Sequence, residues 1–294
     1  MSGSKVFVHR GRDRAEAAEA TLSKASIGDI AGMNILVKPN FNTADPPPGS
    51  TDITTLRAVV EHLKGKGAGR IIVGDRSGPA DTREVFRDKG VFDFAKVLSF
   101  EAQVFDEMPM ERYRKVTVEG GHWSNGFLFV KVANEVDDVI GLCCLKTHNF
   151  GGHFTMSLKL ATGMVHRNNM SELHSSMRMR EMIAEMNTAY RPRFMLMDGV
   201  DAYFRGGPMT GSRWSASATF GSGDRVALDA VGVAMLKMHG TTHEIESKHV
   251  FRQDQIRRAV ELGLGASGPD EIELVPVNDE AEDIIGPIED MLHR

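Results

Sequence analysis

Val139-Ile140-Gly141-Leu142-Cys143-Cys144-Leu145-Lys146-Thr147-His148-Asn149-Phe150-Gly151-Gly152-His153 decides the fold class of this chain. The apolar run from Val139 to Leu145 follows Asp137-Asp138 and stops abruptly in Lys146, His148 and a glycine pair. A short, continuously apolar run bounded by polar residues fits a strand buried on both faces, as in a parallel sheet. Ligands of open α/β sheets collect outside the carboxyl ends of such strands, where helix N-termini also point backbone N–H groups at anions. Lys146 and His148 are therefore placed where a site is expected.

Outward from this run the same grammar repeats. Asn34–Val37 runs into Lys38-Pro39-Asn40, and a helical stretch follows from Asp52 to Lys64, closed by Gly65-Lys66-Gly67-Ala68-Gly69. Ile71–Val73 runs into Gly74-Asp75-Arg76-Ser77-Gly78, and Thr82–Lys89 reads as helix. Further strand-like runs are Lys96–Phe100, the pair Lys115–Glu119 and Phe127–Val130, Phe194–Met197 ending in Asp198-Gly199, Ala218–Phe220, and Glu271–Val275. Met177–Thr188, which must stop before Pro192, Arg225–His239 and Asp254–Leu262 read as helices. Strands alternating with helical segments predict a mainly parallel, open, Rossmann-like α/β sheet with flanking helices. With no internal repeat or linker, the simplest organisation is one domain over residues 1–294 with a β-hairpin inserted near 113–131.

Composition narrows the function. The chain has 294 residues, 35 basic and 40 acidic, for a formal net charge of −5. Such a balance offers no basic field to draw nucleic acid. No apolar run approaches the roughly 18 residues of a membrane span, and the N-terminus lacks the apolar core of a signal peptide, so a cytoplasmic location is expected. The two cysteines are adjacent, too few for an iron–sulfur cluster and badly placed for a structural disulfide, and read as small strand residues.

Lys38, Asp75, Lys146, His148 and Asp198 each follow a strand-like run and would meet at one sheet edge. Lys38 and Lys146 would make that edge cationic within an acidic chain, and the complement is a small anion, a carboxylate or a phosphate. Asn40, Asp75, Lys159 and the pair Gly151-Gly152 would complete the ligand-binding set, the glycines letting backbone approach the ligand and opening the helix that carries Ser157 and Lys159. This is no Walker or GxGxxG fingerprint, so no nucleotide follows. His148, Lys146 and Asp198 are the candidate catalytic residues, moving a proton or neutralising charge. His148 and His153 are candidate ligands of a divalent metal, weighed against plain hydrogen-bonding histidines because HExxH-type spacing is missing. Asp224 suits an N-cap before the helix Arg225–His239, and Asp229 sits inside its first turns, where a carboxylate favours the macrodipole.

Lys38-Pro39-Asn40, Gly74-Asp75, Leu145-Lys146-Thr147-His148, Leu158-Lys159, Asp198-Gly199, Gly207-Pro208 and Asp224-Arg225-Val226-Ala227-Leu228-Asp229-Ala230 occur in the order found in the uncharacterised "domain of unknown function 362" family, which the chain resembles from Val6 to about Val275. The resemblance implies an α/β fold and supplies no reaction. Many members of that family carry a cysteine-rich ferredoxin-like module absent here, so electron transfer would need an iron–sulfur redox partner. A sheet edge rich in Lys and His also resembles the general plan of nickel-dependent lactate racemases, in architecture only. Two readings remain. One is an enzyme, a lyase, isomerase or hydrolase, acting on a small anion with or without a metal. The other is a non-catalytic metal- or cofactor-binding module or redox scaffold. A homo-oligomer built on the sheet edge or the hairpin is compatible with both. Lys38→Ala and Lys146→Ala are expected to weaken anion binding and leave the fold intact.

Overall fold

The computed structural model describes residues 3–294. Twelve strands are present: β1 (Ser4–Arg10), β2 (Ile35–Lys38), β3 (Ile71–Asp75), β4 (Glu101–Val104), β5 (Tyr113–Val116), β6 (Phe127–Val130), β7 (Asp138–His148), β8 (His153–Phe154), β9 (Phe194–Gly206), β10 (Gly211–Trp214), β11 (Ala218–Ser222) and β12 (Ile272–Pro276). The main sheet runs β12-β1-β11-β9-β7-β2-β3-β4, with β10 paired to β9 and β8 folded back on β7. Of the eight strands along this path only β11 is antiparallel to its neighbours. The C-terminal ends of β1, β2, β3, β4, β7, β9 and β12 therefore share one edge. β5 and β6 form a separate antiparallel pair, where a hairpin was expected.

Alternation along the central strands shows why they read as continuous apolar runs. Val139, Cys143 and Leu145 of β7 face one core, and Ile140 and Leu142 face the other. Leu36 and Ile72 share the first core, while Ile35, Val37, Ile71 and Val73 share the second. Each fully buried Val, Leu or Ile contributes roughly 1.5–3 kcal/mol, so strands covered on both faces are the stable centre of the molecule. Helices Arg14–Ala25, Ile53–Gly65, Thr82–Asp88 and Val91–Leu98 cover the second face. The β5–β6 pair and helices Met179–Met186, Arg225–His239, Asp254–Glu261 and Glu282–Leu292 cover the first.

Two expectations are corrected. Lys96–Phe100 is not a strand: Val91–Leu98 is helical, and β4 begins at Glu101. Val91, Phe94, Ala95 and Leu98 pack on the second core at i, i+3, i+4, i+7 spacing, and Ser99 ends the helix in the left-handed conformation at φ 49°. β9 also runs far past Met197, reaching Gly206, with a register shift against β7 between Cys144 and Lys146.

Candidate functional site

At the shared edge, β2 ends in Lys38 and β3 in Asp75, and their side chains form a buried ion pair, Nζ to Oδ1 2.6 Å. Lys38 Nζ also donates to the Pro39 carbonyl, at 2.6 Å. Asp75 is saturated: Oδ2 accepts from the Phe41 N–H (2.7 Å) and Oδ1 from the Arg76 N–H (2.6 Å). Burial pulls the ammonium down and pushes the carboxyl up, and their mutual contact opposes both. Gly163 lies over the pair so closely that a Cβ there would meet Asp75 Oδ1 at 2.3 Å and Lys38 Nζ at 2.6 Å.

Three further cations converge here without a carboxylate partner among the described residues. Lys146, on β7, donates to the carbonyls of Gly49 (2.5 Å) and Pro208 (3.2 Å). Arg76 donates to the carbonyls of Val165 (2.9 Å), Ser77 (2.8 Å) and Thr162 (2.8 Å). Lys159 lies on the short helix Ser157–Leu160, and its ammonium lines the niche with no bonded partner among the described residues. Burial, then the nearby charges of Arg76 and Lys146, lowers its pKa to about 7. The helix is fixed by Asp229, whose carboxylate accepts from Ser157 N (2.8 Å), Ser157 Oγ (2.5 Å) and Leu158 N (3.1 Å). Asp229 thus caps a neighbouring helix, while Asp224 caps its own, accepting from Val226 and Ala227.

Lys38, Asn40, Asp75, Arg76, Lys146 and Lys159 line one niche of about 50 Å³. The niche adjoins an outer chamber of about 630 Å³, sharing Asn42, Arg76, Gly78, Lys159, Thr162 and Pro208 with it. Two polar atoms on this shared wall, Asn42 Nδ2 and Thr162 Oγ1, are buried with no hydrogen-bond partner. An unmet donor in an apolar or cationic surrounding costs free energy, which an incoming acceptor would recover.

His148 lines the outer chamber. Its Nδ1 accepts from the Gly152 N–H at 3.2 Å, so Nε2 carries the proton of the neutral ring. Burial, then the charges of Lys159 and Lys146, pushes its pKa down to about 2. The ring is therefore a neutral N–H donor at ordinary pH, not a proton acceptor.

The remaining expected residues fall elsewhere. Gly151 and Gly152 form the β7–β8 turn, outside the niche, and the Gly152 amide serves His148; the helix that carries Lys159 starts later, at Ser157. His153 pairs with His148 across the β7–β8 turn but lines neither cavity, and burial, then the charges of Arg180 and Lys248, lowers its pKa. Among the described residues no group of three or more His, Cys, Asp or Glu is placed to hold a metal ion. Asp198 sits within β9, not at its end, and is taken up by Arg14 (Nε to Oδ2 2.8 Å) and by the Val200 N–H (3.0 Å). It lines neither cavity. Cys143 and Cys144 are buried and free, with thiol pKa values raised by burial. Arg76, Asn42, Thr162 and Gly163 belong to the site and were missed. Arg76 directly follows the strand-end Asp75, which was the available signal; the others come from loops with no pattern of their own.

A family model described as "Domain of unknown function (DUF362)" matches residues 35–234. A thylakoid-associated protein of Synechocystis sp. is 27% identical over 224 residues, 72% of this chain and 65% of the relative, so the chain spans just under two thirds of that protein's length. The lactate racemase apoprotein from Thermoanaerobacterium thermosaccharolyticum superposes with a TM-score of 0.42 at 11% identity, covering 96% of this chain and 85% of that one. Among the described residues no helix is long and apolar enough to cross a membrane.

Proposed function

We propose, for a chain that belongs to the DUF362 family, that it is an enzyme acting on a small carboxylate or phosphate held at the C-terminal edge of its parallel sheet. One observation carries the reading: Arg76, Lys146 and Lys159 meet in one niche with no carboxylate directly paired to them among the described residues, its one acid, Asp75, being engaged by Lys38, while the whole chain bears a net charge of −5. Lys146 and Arg76 are buried cations bonded to carbonyls and one thioether, and Lys159 stands half-buried beside them; an anion is the partner that offsets the cost of gathering these charges. Asn42 and Thr162 add unmet polar atoms on the same wall.

The chemistry this supports is acid–base. Lys159 exchanges its proton near neutral pH, where a general acid or base works best. The neutral His148 ring would donate from Nε2 to an oxygen on which charge develops. Lys146 and Arg76, charged and fixed, would hold the anionic group.

Isothermal titration calorimetry with inorganic phosphate and with acetate tests the reading on the parent, Lys159→Met and Lys146→Met. Each substitution is expected to weaken binding at least tenfold. Failure of the parent to bind either anion, or equal binding by all three proteins, overturns it. The proton balance gives a second check. A bound anion favours the charged form of Lys159, so its pKa rises on binding. Acetate does not titrate near neutrality, so its binding should take up protons at pH 7–8 and weaken as the pH rises past about 7. Lys159→Met should lose the proton uptake.

A further inference from the structure

We propose that the ligand is amphipathic, an anionic head seated in the niche and joined to an apolar body that fills the outer chamber. This rests on the anion reading above and extends it to the class of substrate. The niche, at about 50 Å³, is a small cavity suited to an anionic head such as a carboxylate or phosphate. The outer chamber, at about 630 Å³, is in the range of cavities that enclose whole metabolites. The two share Asn42, Arg76, Lys159 and Thr162 as a common wall, which sets them side by side for one molecule to span.

The chamber wall changes character away from the niche. On the wall not shared with the niche, Pro79, Phe150, Met170 and Met209 supply apolar surface beside His148, Arg167 and His174, and the His148 and Phe150 rings meet edge to face, 5.9 Å between centroids at 81°. Phe150 is 61% exposed, one of few large apolar side chains left in the open. An exposed aromatic beside a cationic niche is unfavourable when empty and favourable once an apolar body covers it. A three-carbon acid would fill the niche and leave this surface wet. A ligand with a ring or alkyl chain several bonds from its charge would dry it.

The test compares inorganic phosphate with phenyl phosphate, and acetate with phenylacetate, by calorimetry on the full chain, on Phe150→Ala and on Phe150→Ala/Met209→Ala. On the parent each aryl ligand is expected to bind at least tenfold more tightly than its simple anion. The double variant should bring that ratio below about threefold while phosphate affinity stays within twofold, which also reports that the protein has folded. Equal affinity of phosphate and phenyl phosphate on the parent overturns the amphipathic ligand and leaves the anion reading standing. So does an aryl advantage that both variants retain in full. Absence of binding by any of the four probes overturns both readings together.

Discussion

Lys38 and Lys159 are both lysines in one niche, and their environments give them opposite roles. Lys38 is locked to Asp75, so the expectation that Lys38→Ala leaves the fold intact is not supported: the substitution strands a buried carboxylate. Removing one partner of such a pair costs about 3–5 kcal/mol, and urea unfolding of Lys38→Ala should show a loss of that order. A loss below 1 kcal/mol would mean that water or another cation reaches Asp75. Lys159 has no acid to lose, and its charged form is disfavoured by burial. A lysine pKa depressed from its unfolded value to about 7 means that the unfolded chain binds more protons between pH 7 and 10. The stability of the unliganded protein is therefore penalised below pH 7 and recovers as the pH rises through that window. Lys159→Met should then raise the stability of the free protein by roughly 2 kcal/mol at pH 6.5, allowing for partial screening in an open niche, and the gain should shrink toward pH 10. Thermal melts of both proteins at pH 6.5 and pH 9.5 read the difference, and a gain that grows with pH would contradict the assignment. Both lysines were expected near one sheet edge from their sequence contexts, and both line the niche. Which was paired was not legible, because Asp75 reaches Lys38 from a strand 37 positions away in the chain.

Among elements, the helix Ser157–Leu160 is the one on which the site depends. It is a single turn with no intrinsic stability, and Asp229 holds it from another helix through three donors. Asp229→Ala would leave those buried donors unmet, at a cost of about 2–4 kcal/mol for the group. It should also weaken anion binding severalfold although residue 229 touches neither cavity, because Lys159 moves with its helix. Unchanged phosphate affinity in a folded Asp229→Ala protein would show that the helix holds its place without the cap. The sequence reading placed Asp229 at its own helix dipole, and only packing reveals that it serves a neighbour. The same limit explains Asp198, where an apolar run followed by Asp-Gly looked like a strand end. β9 continues because its later residues pair with β10 and, past the register shift, with β7, partners invisible to a local window. Lys96–Phe100 was read as a strand because a short apolar run satisfies both periods, and the helical spacing of Val91–Leu98 prevails through packing on the second core.

For the whole molecule, an anion that binds only the folded state stabilises it by mass action, about 2.7 kcal/mol at a hundredfold excess over Kd. Melts in rising phosphate at constant ionic strength should therefore shift upward for the parent and stay flat for a Lys146→Met/Lys159→Met double variant. An equal shift in both would assign the effect to general salt stabilisation. The order of strands decides that such a site exists: β2, β3 and β7 lie side by side and parallel, so Lys38, Asp75 and Lys146 arrive at one edge from positions spread over more than a hundred residues of chain. That arrangement was readable in advance, since apolar runs covered on both faces and separated by helices admit little besides a parallel sheet. The sequence by itself determined the fold class, the family and the sheet edge where charge gathers, because periodicity and strand-end residues are local properties. Only the tertiary structure decided which cations are neutralised, which tautomer His148 adopts, that His153 and Asp198 line neither cavity, and that Arg76, Asn42 and Thr162 complete the wall. Those outcomes depend on burial and on distances between loops remote in the chain, and no local pattern of residue types encodes either.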